Sequence, residues 1–293
     1  MDELEFYLED LKSKFLKINP SDYYLSYSGG KDSHFLFWFL REWLKNNDYE
    51  MYQKYLDIKI VGINTYMEHK EILDRMKNNC DIVLRSELKP LEIKEKHGSP
   101  CFSKWQDDMI DRYQRGCRRP YLVEIINGVK NDTGEKIQGR FKLNSTAKKG
   151  VIDGTLHKIS PKCCEFLKKK PAAKYEKESN RKAILGVRGG ESGLRKSQYT
   201  TCFQKNGRFT PLWDLTDETI DGIYGKFKIE TPEVYKQIKR TGCMGCPYGS
   251  YKGNTEKELR LLNKNQRNFV CSYFKESYDV LGIDYKKILN EDE

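Results

Sequence analysis

An apolar segment from Asp22 to Tyr27 runs directly into Ser28-Gly29-Gly30-Lys31-Asp32-Ser33, and from Lys31 to Leu44 the chain is apolar on most sides, through Phe35, Leu36, Phe37, Phe39, Leu40 and Trp43. Few folds accommodate a short strand, a double-glycine turn and a fully packed helix in that order. Asp57 to Asn64 repeats the buried-strand pattern with Ile58, Ile60, Val61 and Ile63, followed by a helix over Glu68 to Lys77 and a third strand over Asp81 to Leu84. Strand and helix in alternation predict α/β architecture: a doubly wound parallel sheet flanked by helices.

An amphipathic helix is expected over residues 3 to 17, ending before Pro20, and a further strand over Lys182 to Val187. Helices are expected over Asp217 to Tyr224, Thr231 to Lys239 and Glu256 to Tyr273. Asn127, Gly128, Asn131, Asp132, Thr133, Gly134 and Gly139 are turn formers, and they mark residues 127 to 154 as a surface insertion or hairpin. Along the chain this predicts a core with the double-glycine turn over 1–126, the insertion over 127–154, the rest of the domain over 155–250, and C-terminal helices over 251–293.

The chain has 293 residues, of which 38% are hydrophobic, enough for a real core, while its longest apolar run, Phe35 to Leu40, is far too short to span a membrane. Residues 1 to 16 mix acids, bases and apolar residues, so no signal peptide and no membrane partner are expected, and the predicted location is the cytoplasm. There, nine cysteines argue for metal ligation or redox chemistry and against a disulfide framework. With 53 Lys and Arg against 43 Asp and Glu, the net charge is +10, which suits a nucleic-acid partner, a nucleotide substrate or simply a lysine-rich surface.

The glycine turn carries the clearest chemistry. Two glycines let successive N–H groups face an anion, the following helix adds its positive end, Lys31 a full charge, and Ser28 and Ser33 hydroxyl donors. The hexapeptide resembles the PP-loop of ATP pyrophosphatases, which cleave ATP between the α and β phosphates to adenylate a substrate. It lacks the spacing of a Walker loop. That resemblance implies a Rossmann-like fold of the adenine nucleotide alpha hydrolase type with a C-terminal cysteine-containing helical portion, and ATP with Mg²⁺ as ligand.

Two further segments resemble the phosphoadenosine phosphosulfate (PAPS) reductase branch of that superfamily. Ile63-Asn64-Thr65-Tyr66-Met67-Glu68-His69 follows the second strand, and the resemblance implies that Asn64, Thr65 and Glu68 border the nucleotide; His69 by itself is expected to be a solvent-facing helix residue. Gly186-Val187-Arg188-Gly189-Gly190-Glu191-Ser192-Gly193-Leu194-Arg195 is similar to the family's arginine loop. Arg188 and Arg195 can grip phosphate oxygens bidentately, Ser192 adds a donor, and Glu191 can orient an arginine. With Gly186, these complete the expected nucleotide site, and Lys31, Asp32, Arg188 and Arg195 are its expected catalytic residues. Ser99-Pro100-Cys101-Phe102-Ser103-Lys104 is a looser likeness.

Cys163-Cys164 and Cys243-Met244-Gly245-Cys246 form two pairs whose soft thiolates suit zinc or an iron-sulfur cluster, and unrelated thiols are the remaining alternative. The arrangement resembles the [4Fe-4S] ligand set of adenylyl-sulfate reductases and related PP-loop sulfur enzymes. Lys162, Lys168, Lys169, Lys170, Lys239 and Arg240 flank it in sequence and would offset thiolate charge. Cys202 is an alternative ligand or sulfur carrier, and Cys80, Cys101, Cys117 and Cys271 are expected to be structural.

The reductases carry a nucleophilic cysteine in a C-terminal Glu-Cys-Gly-Leu-His segment, which this sequence lacks. The expected function is therefore ATP-dependent adenylation of an acceptor with release of pyrophosphate, supporting sulfur transfer through the cluster. Its partners would be ATP, a sulfur donor such as a cysteine desulfurase or sulfide, and an acceptor that includes transfer RNA or DNA among the candidates. One alternative is reduction of adenylyl sulfate or PAPS, with Cys202 or Cys271 as nucleophile. The other is a cluster-bearing nucleic-acid-binding protein without turnover.

Overall fold

The computed structural model describes residues 2–191, 197–238, 242–252 and 254–291. Four parallel strands, β1 (Tyr23–Tyr27), β2 (Lys59–Asn64), β3 (Ile82–Arg85) and β4 (Lys182–Leu185), form one sheet in the order β3-β2-β1-β4. Leu25 lies opposite both Ile60 and Ile184, which fixes the register across the centre. The alternation of the strands sorts their side chains. Leu25, Ile60 and Ile184 enter the main core with Leu8, Leu11 and Phe15 of helix Glu3–Phe15, Phe35 and Leu36 of helix Lys31–Trp38, and Ile220 and Ile223 of helix Asp217–Lys226. Tyr24, Val61 and Ala183 face the other way, against Tyr175 of helix Lys170–Ser179. Helices on both faces make this the expected doubly wound α/β fold.

By packing, the chain divides into two compact units. The first comprises Met1–Asn64, Lys70–Arg85 and Pro171–Lys236 and holds the sheet; the second comprises Thr65–His69, Ser86–Lys170 and Gln237–Glu293. The second unit is helical. One of its cores gathers Ile110, Leu122, Ile126, Ala147, Val151 and Ile159, another Met244, Leu259, Val270, Tyr273, Phe274 and Tyr278. Among the described residues no helix is long and apolar enough to cross a membrane.

Several elements differ from the sequence expectations for local reasons. The helix expected over Glu256 to Tyr273 is two, Thr255–Leu261 and Lys264–Tyr273, because Leu262 is extended and the side chain of Asn263 caps the second helix by accepting from the Gln266 amide. Of the helix expected over Thr231 to Lys239, only Val234–Gln237 forms among the described residues. Residues 127 to 154 begin with a hairpin-like bridge between Val129 and Lys136, but Ser145–Ile152 is a helix with Ala147 and Val151 in the core.

Arg267 ties the last helices together. Its Nε donates to the Leu259 carbonyl at 3.0 Å and its Nη2 to the Leu262 carbonyl at 2.9 Å, in a setting only 8% exposed. The Leu259 carbonyl, which also accepts from the Leu262 amide at 3.3 Å, and the Leu262 carbonyl lie at the end of helix Thr255–Leu261, where acceptors run out of donors in the next turn. Arg267→Leu is expected to destabilise the chain by about 3 kcal/mol, because buried acceptors lose charged donors. Urea denaturation would show this as a lower midpoint with an unchanged slope.

Candidate functional site

The first unit builds the glycine turn at the carboxyl end of β1. Strand order reverses at β1, with β2 on one side and β4 on the other, and open parallel sheets bind ligands in the crevice at such a point. Gly29 has φ +73°, a left-handed backbone, and a Cβ there would meet the Ile72 carbonyl oxygen at 3.0 Å. Gly30 is the N-cap of helix Lys31–Trp38 and, having no side chain, supplies no side-chain cap, so the positive end of the helix faces the turn. The serines brace the turn: Ser28 Oγ and Ser33 Oγ are 3.0 Å apart, and Ser33 Oγ donates to the Gly30 carbonyl at 3.0 Å. Lys31 pairs with Asp221 and lies over the Tyr224 ring, and burial moves its ammonium pKa down.

β4 delivers the arginine loop to the same helix start. At Gly186 a Cβ would lie 2.8 Å from both the Asp32 carbonyl carbon and the Ser33 nitrogen, so this crossing is open only to glycine. Two residues on, Arg188 donates from Nε to Asp32 Oδ1 at 2.9 Å and from Nη1 to Asp217 Oδ1. Lys31, Asp32, Gly186 and Arg188 thus converge with the glycine turn. Ser192 and Arg195 lie outside the described residues.

Beneath the turn, His34 (8% exposed) shares a hydrogen bond with the Tyr27 hydroxyl at 2.9 Å, and Asn79 donates to that hydroxyl at 2.8 Å. Burial, with the Arg75 charge adding to it, pushes the imidazole pKa down to about 3. The unfolded chain takes up this proton near pH 6.5 and the folded chain refuses it until about 3. Stability from this group is therefore full above about 6.5 and is lost as pH falls from there. Wild type is expected to lose up to about 2 kcal/mol between pH 7 and pH 5 from this residue alone, and His34→Asn to lose correspondingly less. Paired urea titrations at the two pH values measure the difference.

The second unit gathers the cysteines. The thiols of Cys164, Cys243 and Cys246 act electrostatically on Cys163. Cys246 in turn feels Cys243 and Cys164. The adjoining Cys163 thiol, with the nearby charges of Lys104, Lys168 and Lys169, lowers the Cys164 thiol pKa, while Cys163 itself is pushed up. Lys168 is held protonated by Cys243, Cys164, Glu68 and Cys246. Lys239 and Arg240 lie outside the described residues. Among the described residues no three His, Cys, Asp or Glu side chains stand close enough to hold a single metal ion.

Three contacts anchor the Cys243–Cys246 loop. The Met244 amide donates to the Met67 carbonyl at 2.7 Å, the Tyr278 hydroxyl donates to the Gly245 carbonyl, and Tyr248 donates to Asp107 Oδ2 at 2.9 Å. Asp107 also accepts from the Cys101 and Phe102 amides, at 2.7 and 3.0 Å, and burial pushes its carboxyl up to about 6. Sequence reading missed Asp107, whose partners lie up to 141 residues away. Thr65 and Glu68 also belong to this unit: Thr65 Oγ1 donates to Glu68 Oε1 at 2.5 Å and stands 3.8 Å from Cys243 Sγ. Asn64 falls in the first unit, at the end of β2. His69 is not solvent-facing; it is 5% exposed, with Nε2 2.6 Å from Glu258 Oε1.

No family model matches the chain, and no curated protein matches it. Among solved structures it is similar to the crystal structure of phosphoadenylyl-sulfate (PAPS) reductase from Candida auris in a phosphate complex. The identity is 11% and the TM-score 0.38, over 78% of this chain and 89% of that one. The fold class stands on the sheet order and the two packed faces of the sheet.

Proposed function

We propose that the chain binds ATP at Ser28–Ser33 and adenylates an acceptor, with Cys163, Cys164, Cys243 and Cys246 holding a [4Fe-4S] cluster that supports sulfur transfer. The observation that carries the ATP reading is the intact glycine turn at the head of a helix whose N-cap is glycine, at the sheet's switch point. The β and γ phosphates would take backbone N–H groups of the glycine turn and Lys31, with the Ser28 and Ser33 hydroxyls turning to them from the bonds they make to each other and to the Gly30 carbonyl. Mg²⁺ accompanying ATP would neutralise charge on the leaving pyrophosphate. Asp32 holds Arg188 by its Nε at the start of the helix, where the arginine would meet the α phosphate. An acceptor oxygen would attack the α phosphorus, the bond to the bridging oxygen would break, and pyrophosphate would leave.

For the cluster, the donor chemistry fits. Four thiols that influence one another offer the soft ligands that an iron-sulfur cluster takes, and Lys168 offsets their charge. When bound, a [4Fe-4S] cluster supplies iron able to hold sulfur. Reduction of a sulfonucleotide is disfavoured by the two remaining nucleophile candidates. Burial raises the Cys202 thiol and pushes that of Cys271, 2% exposed, up to about 11.

The test is product analysis with ATP labelled at the α phosphate, under anaerobic conditions, with sulfide and either nucleic acid or a small-molecule extract as acceptor. AMP and pyrophosphate are expected. Formation of ADP and phosphate instead overturns the reading.

A further inference from the structure

The charge of this protein is not shared evenly. The sheet-bearing unit holds 24 Lys and Arg against 23 Asp and Glu, whereas the helical unit holds 29 against 20, nine of the chain's ten surplus charges. Within it, residues 104 to 170 alone carry 16 basic against eight acidic residues. A nucleotide bound in the first unit does not account for charge placed in the second.

The surplus has a focus. A cleft of about 430 Å³ lies between the end of helix Lys104–Gln114 and helix Ser145–Ile152, lined by Tyr113, Arg115, Arg118, Gly150, Gly154 and Lys158 among others. Its acid, Asp111, is consumed by Arg115, whose Nη2 is 2.7 Å from Asp111 Oδ2. Next to it Asp108 is likewise consumed by Arg112, at 2.8 Å. Arg118 and Lys158 have no acidic partner among the described residues. Arg118 is also held in place: its Nη1 donates to the Tyr113 and Cys117 carbonyls, at 2.6 and 3.0 Å, and its guanidinium lies 3.8 Å from the centre of the Tyr113 ring. Tyr121, 40% exposed, accepts from Arg112 and adds an aromatic surface nearby.

We infer that this cleft binds single-stranded nucleic acid. Cations without acidic partners meet backbone phosphates. An arginine already stacked on a tyrosine begins a column that an unpaired base can extend, and a concave cleft admits a strand whose bases are splayed, as a base-paired duplex would not allow. The inference goes beyond the adenylation reading and does not depend on it, because binding is measured without ATP or turnover.

The experiment is fluorescence anisotropy of a labelled 20-nucleotide single strand, as RNA and as DNA of the same sequence, and of the corresponding duplex, at a series of salt concentrations. The variant Arg118→Glu/Lys158→Glu is compared with the control Lys54→Glu/Lys205→Glu on the near-neutral unit, which makes the same change in net charge at exposed residues. The single exchange Lys158→Glu, at an exposed residue, serves if the double variant does not fold. Wild type is expected to bind single strands more tightly than duplex. The double variant should bind at least ~10-fold more weakly near 0.1 M salt, with a log–log salt slope shallower by about 1.4 for two lost phosphate contacts. The single exchange should lose about half of that slope change. A difference between RNA and DNA identifies which strand the cleft prefers. Tighter binding to duplex, or an equal loss in the control, overturns the inference.

Discussion

Gly30→Val is expected to weaken ATP binding by about 100-fold or more. A Cβ at Gly30 would already stand 2.9 Å from the Tyr235 hydroxyl and 3.4 Å from Ser28 Oγ, and valine's branches would occupy the space that a phosphate needs beside the first-turn amides. The change lies at the mouth of the turn, so the sheet and its cores should stay intact. Lys31→Ala is the companion: it leaves the backbone cradle whole but removes the ammonium, for an expected loss of roughly ten- to a hundredfold. Calorimetric titration with ATP and Mg²⁺ measures both. ATP affinity unchanged in both variants would remove the phosphate role of the turn, whatever the protein then proved to do.

The second large effect concerns metal. Protein purified without oxygen is expected to carry about four iron and four acid-labile sulfide per chain, and Cys246→Ser to carry close to none. Cys246 is the informative position because its loop is pinned independently, by Met67, by Tyr278 and through Tyr248 to Asp107, so the exchange should remove a ligand and leave the fold. One zinc per chain in place of iron, or full iron retained in the variant, would overturn the cluster assignment. The nucleotide site would be untouched by that result.

Much of the sheet-bearing unit was legible because its signals are local. Gly29 and Gly30 mark a turn by their own backbone needs, and Leu25, Ile60 and Ile184 mark strands by what surrounds them in sequence. The helical unit was much less legible. Residues 90 to 127 carry three helices, Pro90–His97, Lys104–Gln114 and Pro120–Asn127, begun by Pro90, Ser103 and Pro120 and separated by only a few residues. Without a strand between them, their boundaries rest on caps alone. His69 shows the limit of a residue read singly: an imidazole in a polar heptapeptide looks solvent-facing until Glu258, 189 residues away, takes its Nε2. The place of Thr65 beside Cys243 was equally out of reach, since 178 residues separate them. Local chemistry is written locally, and the partners of buried polar groups are not.

The chain passes between its two compact units five times, near residues 64, 69, 85, 170 and 236. No single cut in the gene would yield either unit whole, and a shuffled exon or a recombination event at one point would leave both incomplete. An exchange that parted the glycine turn from the cysteines would thus have to break the packing of both units. Relatives of this chain are therefore expected to differ by loss of cysteines or erosion of the turn in place more often than by exchange of modules.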